Sequence, residues 1–314
     1  MLSTRLAALL TLVVSARAAT YHLSDNIVGT DFLDEFTHEA ISDPTHGRVN
    51  YVSQATALAK NLTFATDNTF IIRADHNTVL SASGPGRNSV RIQSNKQWTT
   101  HVAVFDIVHM PRGCGTWPAV WEVGNNWPNG GEVDIIEGVN DVSPNQATLH
   151  TSSGCTMSGQ VQTGTTTTTN CDANVNSNSG CGVKVNKANS YGPPFDSNGG
   201  GWYVMERTNA HINVYFWARN DGSVPSDVKN GASTINTSKW GTPVANFPDN
   251  SCDISSKFGP NNIIINLTFC GDWAGASSVY SASGCPSTCV DYVNNNPSAF
   301  VNAYFQFNAL RVYT

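Results

Sequence analysis

Gly131-Glu132-Val133-Asp134-Ile135-Ile136-Glu137-Gly138 decides how the chain is read. Side chains alternate between the two faces of a β-strand, so Glu132 and Asp134 share one face and Val133 and Ile135 the other. A regular strand would put Ile136 with the acids and bury Glu137 among the apolar residues, which is costly for a charged carboxylate. A β-bulge near Ile135–Ile136 adds one residue and restores the phase. All three acids then point the same way.

Three like charges in a row destabilise a sheet, so a purely structural strand gains nothing from them. A glycosidase does gain. It needs one ionised carboxylate and one protonated carboxyl, about 5–5.5 Å apart for retention of configuration or about 6.5–9.5 Å apart for inversion. Two long Glu side chains leaning together over Asp134 can reach the shorter separation, although the sequence does not fix the distance. The expected roles are Glu132 as nucleophile, Glu137 as acid/base and Asp134 as the residue that tunes Glu132 by sharing a proton or hydrogen bond. A solvated acidic edge strand is the alternative. Trp117-Pro-Ala-Val-Trp121, Trp127 and, on the next strand, His150 surround the motif and favour chemistry.

Working outward, short β-branched and aromatic runs recur along the chain, at 69–73, 90–93, 101–109, 201–208, 212–218, 263–269 and 303–313. Turn-rich stretches separate them, and few windows have a helical period. The pattern predicts an all-β sandwich or barrel. Two long segments, 151–189 and 221–253, read as surface loops stapled by cysteines rather than linkers. One domain is expected, over 19–314.

Residues 1–18 read as a signal peptide: a basic start, an apolar run at 6–14 and the small-x-small site Ala16-Arg17-Ala18. That run is too short to span a bilayer, so a secreted, extracellular protein with no membrane association is expected. Eight cysteines agree with an oxidising compartment, and Cys285–Cys289 is a candidate local bridge. Three acceptor sequons occur, at Asn61, Asn236 and Asn266. Asn266 lies in an apolar strand, so glycans are expected at Asn61 and Asn236. The formal net charge is −6, and losing Arg5 and Arg17 gives −6 − 2 = −8, which argues against nucleic acid as a partner. Only 13% of residues are charged, while eight Trp and nine Tyr are present. A polar, aromatic-rich surface suits sugar rings, with their apolar faces and hydroxyl rims.

The motif Glu132-Val-Asp-Ile-Ile-Glu137 resembles the E-x-D-x-x-E signature of glycoside hydrolase family 16, in the bulged form of its laminarinase-type members. Gly115-Thr-Trp-Pro-Ala-Val-Trp121, the stretch 86–92, the stretch 201–207 and Gly271-Asp-Trp-Ala-Gly275 are also similar to family segments. The resemblance runs from about Asp34 to Tyr313. It implies a β-jelly roll of two antiparallel sheets with a concave substrate cleft. It also implies a fungal-type endo-β-1,3(4)-glucanase, the stated roles for Glu132, Asp134 and Glu137, and retention over inversion. Some family members bind a structural calcium, but no D-x-D-x-D-G loop occurs here, so no metal and no cofactor are expected.

Trp121, Trp127, Trp117 and Trp273 are candidate sugar-stacking platforms, with core packing as the alternative for the first three. Arg91 could hold sugar hydroxyls or form a salt bridge. His150 is expected to bond a sugar or Glu137, and Asn266 to face the cleft. Glu206 and Arg207 are not expected to be catalytic. The expected partner is a β-glucan chain and the expected state a monomer. A cell-wall glucan transglycosylase on the same scaffold and a non-catalytic glucan-binding lectin are the competing functions. The intact Glu132/Glu137 pair argues against the lectin.

Overall fold

The computed structural model describes residues 19–314. The expected signal peptide at 1–18 lies outside the described residues. The strands in chain order are β1 Thr20–Ile27, β2 Phe36–His38, β3 Val49–Tyr51, β4 Thr63–Ala65, β5 Phe70–Arg73, β6 Arg87–Ser89, β7 Arg91–Ser94, β8 His101–His109, β9 Thr116–Gly124, β10 Glu132–Glu137, β11 Gln146–His150, β12 Thr165–Thr166, β13 Cys181–Lys184, β14 Gly201–Arg207, β15 His211–Ala218, β16 Thr234–Asn236, β17 Ala245–Pro248, β18 Asn261–Phe269 and β19 Tyr304–Tyr313.

Two antiparallel sheets contain nearly all of them. One has the order β16-β1-β19-β8-β14-β15-β17, with β5 also on β19 and β4 on β5; the other runs β12-β13-β11-β10-β9-β18-β7-β2. A separate parallel pair joins β3 to β6. The fold is the expected all-β jelly roll.

Alternation explains the layering. In β9, Val120 turns inward and is fully buried, while its neighbours Ala119 and Trp121 turn outward. Val133, Ile263, Ile265 and Ile92 come inward from the same sheet, and meet Phe105, Tyr203, Met205, Phe216, Phe305 and Leu310 from the other. Removing this much apolar surface from water is the main stabilising contribution. Not every inward position is apolar. Glu122 has no exposure, and its Oε1 lies 2.8 Å from Nε2 of His101, also fully buried. Glu206 and Arg207 make structural contacts. Glu206 accepts hydrogen bonds from Tyr21, Thr237 and Asn213, and Arg207 donates to the carbonyls of Phe258 and Gly259.

The expected Cys285–Cys289 bridge is not formed. Cys285 pairs with Cys114 and Cys289 with Cys270, while Cys155–Cys252 and Cys171–Cys181 complete the set. A helix over Cys289–Asn295 starts at Cys289 and turns it toward Cys270. The two long segments contain short strands of their own, and Cys155–Cys252 ties one to the other.

Candidate active site

Strand β10 carries the acids, and its register contains the expected bulge. Against β9, Asp134 pairs with Trp121 and Ile136 with Val120; against β11, Asp134 pairs with Thr148 and Glu137 with Gln146. Two steps on β10 therefore match one on β9, and three match two on β11. Ile135 and Ile136 both turn into the core with no exposure, and Glu132, Asp134 and Glu137 all face outward. Glycines close both ends of the strand. Gly131 has φ +74°, and a Cβ on Gly138 would come within 2.6 Å of the Tyr191 ring.

Each terminal acid accepts an indole hydrogen. Trp117 Nε1 donates to Glu137 Oε1 at 2.8 Å, and Trp127 Nε1 donates to Glu132 Oε2. Trp127 sits on the loop before β10 and is 46% exposed. Trp273 and Trp117 meet edge to face with ring centroids 5.6 Å apart. Three of the four predicted tryptophans thus gather around the acids.

Burial, helped by the charge of Glu132, pushes the Glu137 carboxyl up to about 7, against the hydrogen bond from Trp117 and the charge of His150. Asp134, between the two Glu residues and 2% exposed, is pushed well above the usual carboxylate range by burial and then by the charges of Glu132 and Glu137. His150 is the cation that balances them. It faces Glu132 across the β10–β11 pair, and its Nε2 lies 3.4 Å from Asp134 Oδ2. Burial disfavours the imidazolium, but the contact with Asp134 and the charges of Glu132, Asp134 and Glu137 outweigh it and carry His150 up to about 10. Of the carboxylates, the close partner of His150 is thus Asp134, where a sugar or Glu137 was expected. Its other nitrogen, Nδ1, lies 2.8 Å from Asn178 Oδ1.

A second group continues the same face toward β7. Trp121 Nε1 donates to Asn266 Oδ1 at 2.8 Å, and Asn266 Nδ2 donates to the Tyr51 hydroxyl at 3.1 Å. The Arg91 guanidinium carbon lies 5.0 Å from the Trp121 ring centroid, and its Nε bonds Glu39 Oε2 at 2.6 Å. Arg91 therefore forms the salt bridge, largely buried rather than on the surface, and braces an aromatic on the outward face.

Among the described residues, one trio of side chains is spaced to share a cation: ligand atoms of Glu132, Asp134 and His150 lie within 4.8 Å of one another. These are the residues of the acid–base network just described. Sequence reasoning missed Asn178, Tyr51, Glu39 and Asn145. All four are polar partners far along the chain or in a loop, where no period marks them.

Residues 36–313 match the family described as "XgeA-like, catalytic GH16 domain". The chain belongs to glycoside hydrolase family 16. A probable glycosidase of Schizosaccharomyces pombe is 45% identical over 95% of this chain and 70% of its own length. A probable endo-1,3(4)-β-glucanase of Aspergillus niger is 42% identical over 98% of this chain. The chain spans only 42% of that relative's length. Among solved structures, family 16 laminarinase 16A of Phanerochaete chrysosporium, holding 6-O-glucosyl-laminaritriose in donor and acceptor sites, has 66% identity and a TM-score of 0.94. It covers 94% of this chain and 100% of that one. An elongating family 16 β-1,3-glucosyltransferase has 39% identity and a TM-score of 0.87, again over 94% and 100%.

Proposed function

We propose that this chain is a secreted, retaining endo-β-glucanase that hydrolyses β-1,3-glucan and mixed-linkage β-1,3/1,4-glucan. One observation carries the reading: the bulge in β10 brings Glu132, Asp134 and Glu137 to one outward face, with an indole donor on each Glu and the His150 imidazole beside Asp134. Structure builds such a face at a cost in charge repulsion, and double displacement uses it.

Glu132 attacks the anomeric carbon as the glycosidic C–O bond breaks. Glu137, whose carboxyl is held up to about 7, gives its proton to the leaving oxygen. Glu137 then takes a proton from water, the water oxygen attacks the anomeric carbon, and the ester bond to Glu132 breaks. The net change is one water added across one glycosidic bond. Asp134 and His150 act on Glu132 through charge. Trp121, Trp127, Trp117 and Trp273 offer rings to the sugar chain, and Arg91 and Asn266 hold Trp121 in place.

The substrate class rests on the relatives, whose names specify endo-1,3(4)-β-glucanase and laminarinase. Secretion rests on the leader at 1–18 and on four disulfides. A single domain over 19–314, a monomer, and N-glycans at Asn61 and Asn236 complete the proposal. A second reading, transfer of the glycosyl group to another glucan instead of water, is favoured by the likeness to the elongating glucosyltransferase.

The test is product analysis on laminarin and lichenan, wild type beside Glu132→Ser, with NMR of the first-formed anomer. Early β-anomer oligosaccharides that the variant does not make are the expected result. Early α-anomer would overturn retention. Products longer than the substrate would favour transfer.

A further inference from the structure

A β-bulge leaves backbone groups without ladder partners, and buried orphans of this kind are costly. Here the orphans belong to the bulged residues of β10: the carbonyl of Ile135 and the N–H of Glu137. Both are satisfied by one side chain. Asn145 Oδ1 accepts from Glu137 N at 2.9 Å, and Asn145 Nδ2 donates to Ile135 O at 3.0 Å. Its amide thus closes the bulge as a missing strand residue would.

Asn145 is itself fixed. It has no exposure and stands immediately before β11. Its backbone N–H donates to Ser190 Oγ at 3.0 Å, and its carbonyl accepts from Val185 N at 2.9 Å. Only an amide fits both contacts. An Asp would aim a second acceptor at the Ile135 carbonyl and bury a charge. A Ser offers one short oxygen where two groups are needed.

We infer that Asn145 is a positioning residue for Glu137: by clamping both ends of the bulge, it sets the backbone from which the acid/base carboxyl reaches the glycosidic oxygen. The inference rests on the reading of Glu137 as acid/base. Besides the ladder pairing of its backbone, Glu137 is held at its carboxylate by the indole of Trp117. Trp117 restrains the tip of the side chain and Asn145 its root, so neither substitutes for the other. A proton donor displaced by a fraction of an ångström loses much of its effect, and general acids contribute about 10²–10⁴-fold.

The test compares two leaving groups. A glucosyl hydroxyl in laminarin needs a proton to depart, and dinitrophenolate in a dinitrophenyl β-laminaribioside does not. kcat/KM reports the glycosylation step, in which only the former depends on the acid. Asn145→Ala should lose about 10- to 100-fold on laminarin and stay within about threefold on the aryl glycoside, with KM for laminarin little changed. Glu137→Ala runs beside it and should show the same selectivity, more strongly. If Asn145→Ala does not fold, Ser190→Ala keeps the amide but frees its anchor, and should show the same selectivity at smaller size. Equal loss on both substrates, or no loss on either, in a folded variant overturns the positioning role. If Glu137→Ala itself loses equally on both, the acid/base reading fails first and this inference with it.

Discussion

The Trp117 indole donates to Oε1 of Glu137 across 2.8 Å, so one oxygen of this carboxyl is held and the other is left to carry the proton. That bond favours the ionised form. It works against burial, which raises the group to about 7. Trp117→Phe keeps most of the ring and removes the donor. The carboxyl should then hold its proton to higher pH. Activity that needs the protonated acid falls as pH rises through its pKa, so the basic limb of kcat/KM on laminarin should move upward, with kcat down several-fold. A limb that stays in place or moves down would show that the indole does not tune Glu137.

His150 should make the folded protein sensitive to alkali. Its folded pKa of about 10 lies above the ordinary value of 6.5. A group raised in this way contributes stability that is fully present below pH 6.5 and is lost as pH rises through about 10. Unfolding free energy of the wild type should therefore decline across that window, with a slope of at most about 1.4 kcal/mol per pH unit from this group. His150→Asn should flatten the decline. The variant also leaves Asp134 and Glu137 without their cation, so both should hold protons more firmly, and the basic limb of kcat/KM on laminarin should move upward, because Glu137 then stays protonated to higher pH. Urea unfolding at several pH values checks the first part. Parallel slopes for the two proteins would refute it.

The site's skeleton was legible because its signal is local. Six consecutive residues, Glu132 to Glu137, carry a phase conflict that only a bulge resolves, and the register has that bulge. Strands such as β8 and β19 were legible for the same reason: long β-branched and aromatic runs between turns. Cysteine pairing was not legible. Cys114 and Cys285 are 171 residues apart, and nothing local favours that pair over Cys285–Cys289. The helices over Gly271–Ala274, Ser277–Ala282 and Cys289–Asn295 are too short to show a helical period. Asn145, Asn178 and Tyr51 reach the site through hydrogen bonds set by tertiary packing, and an isolated Asn in a loop or a Tyr ending a three-residue strand carries no pattern at all.

The bridge between Cys155 and Cys252 should matter more for stability than for chemistry. It closes a span of 97 residues and joins the two long segments that lack extensive strand pairing. In a chain-entropy account, a loop of that size contributes about 4–5 kcal/mol, and measured losses fall at about 2–5 kcal/mol. Cys155→Ser with Cys252→Ser should lose stability in that range by denaturant titration. The native segments stay tied by other contacts, including Val161 N donating to Asn246 Oδ1 at 2.9 Å. Because of these, kcat on laminarin at 25 °C should change less than about threefold. A collapse of activity in the folded double variant would assign the bridge a role in shaping the substrate face.

Asn266 should carry no glycan in the folded protein, although it heads a sequon. Glycans are attached to the chain before it folds, so burial does not prevent the reaction itself. It does prevent a modified chain from reaching this structure. The Asn266 side chain is 6% exposed, its Oδ1 is taken by Trp121 Nε1 and its Nδ2 by the Tyr51 hydroxyl. A sugar on Nδ2 would break the bond to Tyr51 and push into the space beside Trp121. Any chain modified there should be held back as misfolded. Asn61 is exposed at a turn with φ +53°, and Asn236 ends the edge strand β16, so neither has this obstacle. Peptide mapping of protein purified from the medium of a eukaryotic host should find Asn61 and Asn236 modified and Asn266 bare. Substantial occupancy at Asn266 in active enzyme would mean that the Trp121–Asn266–Tyr51 chain of bonds is not needed to hold the aromatic on the substrate face.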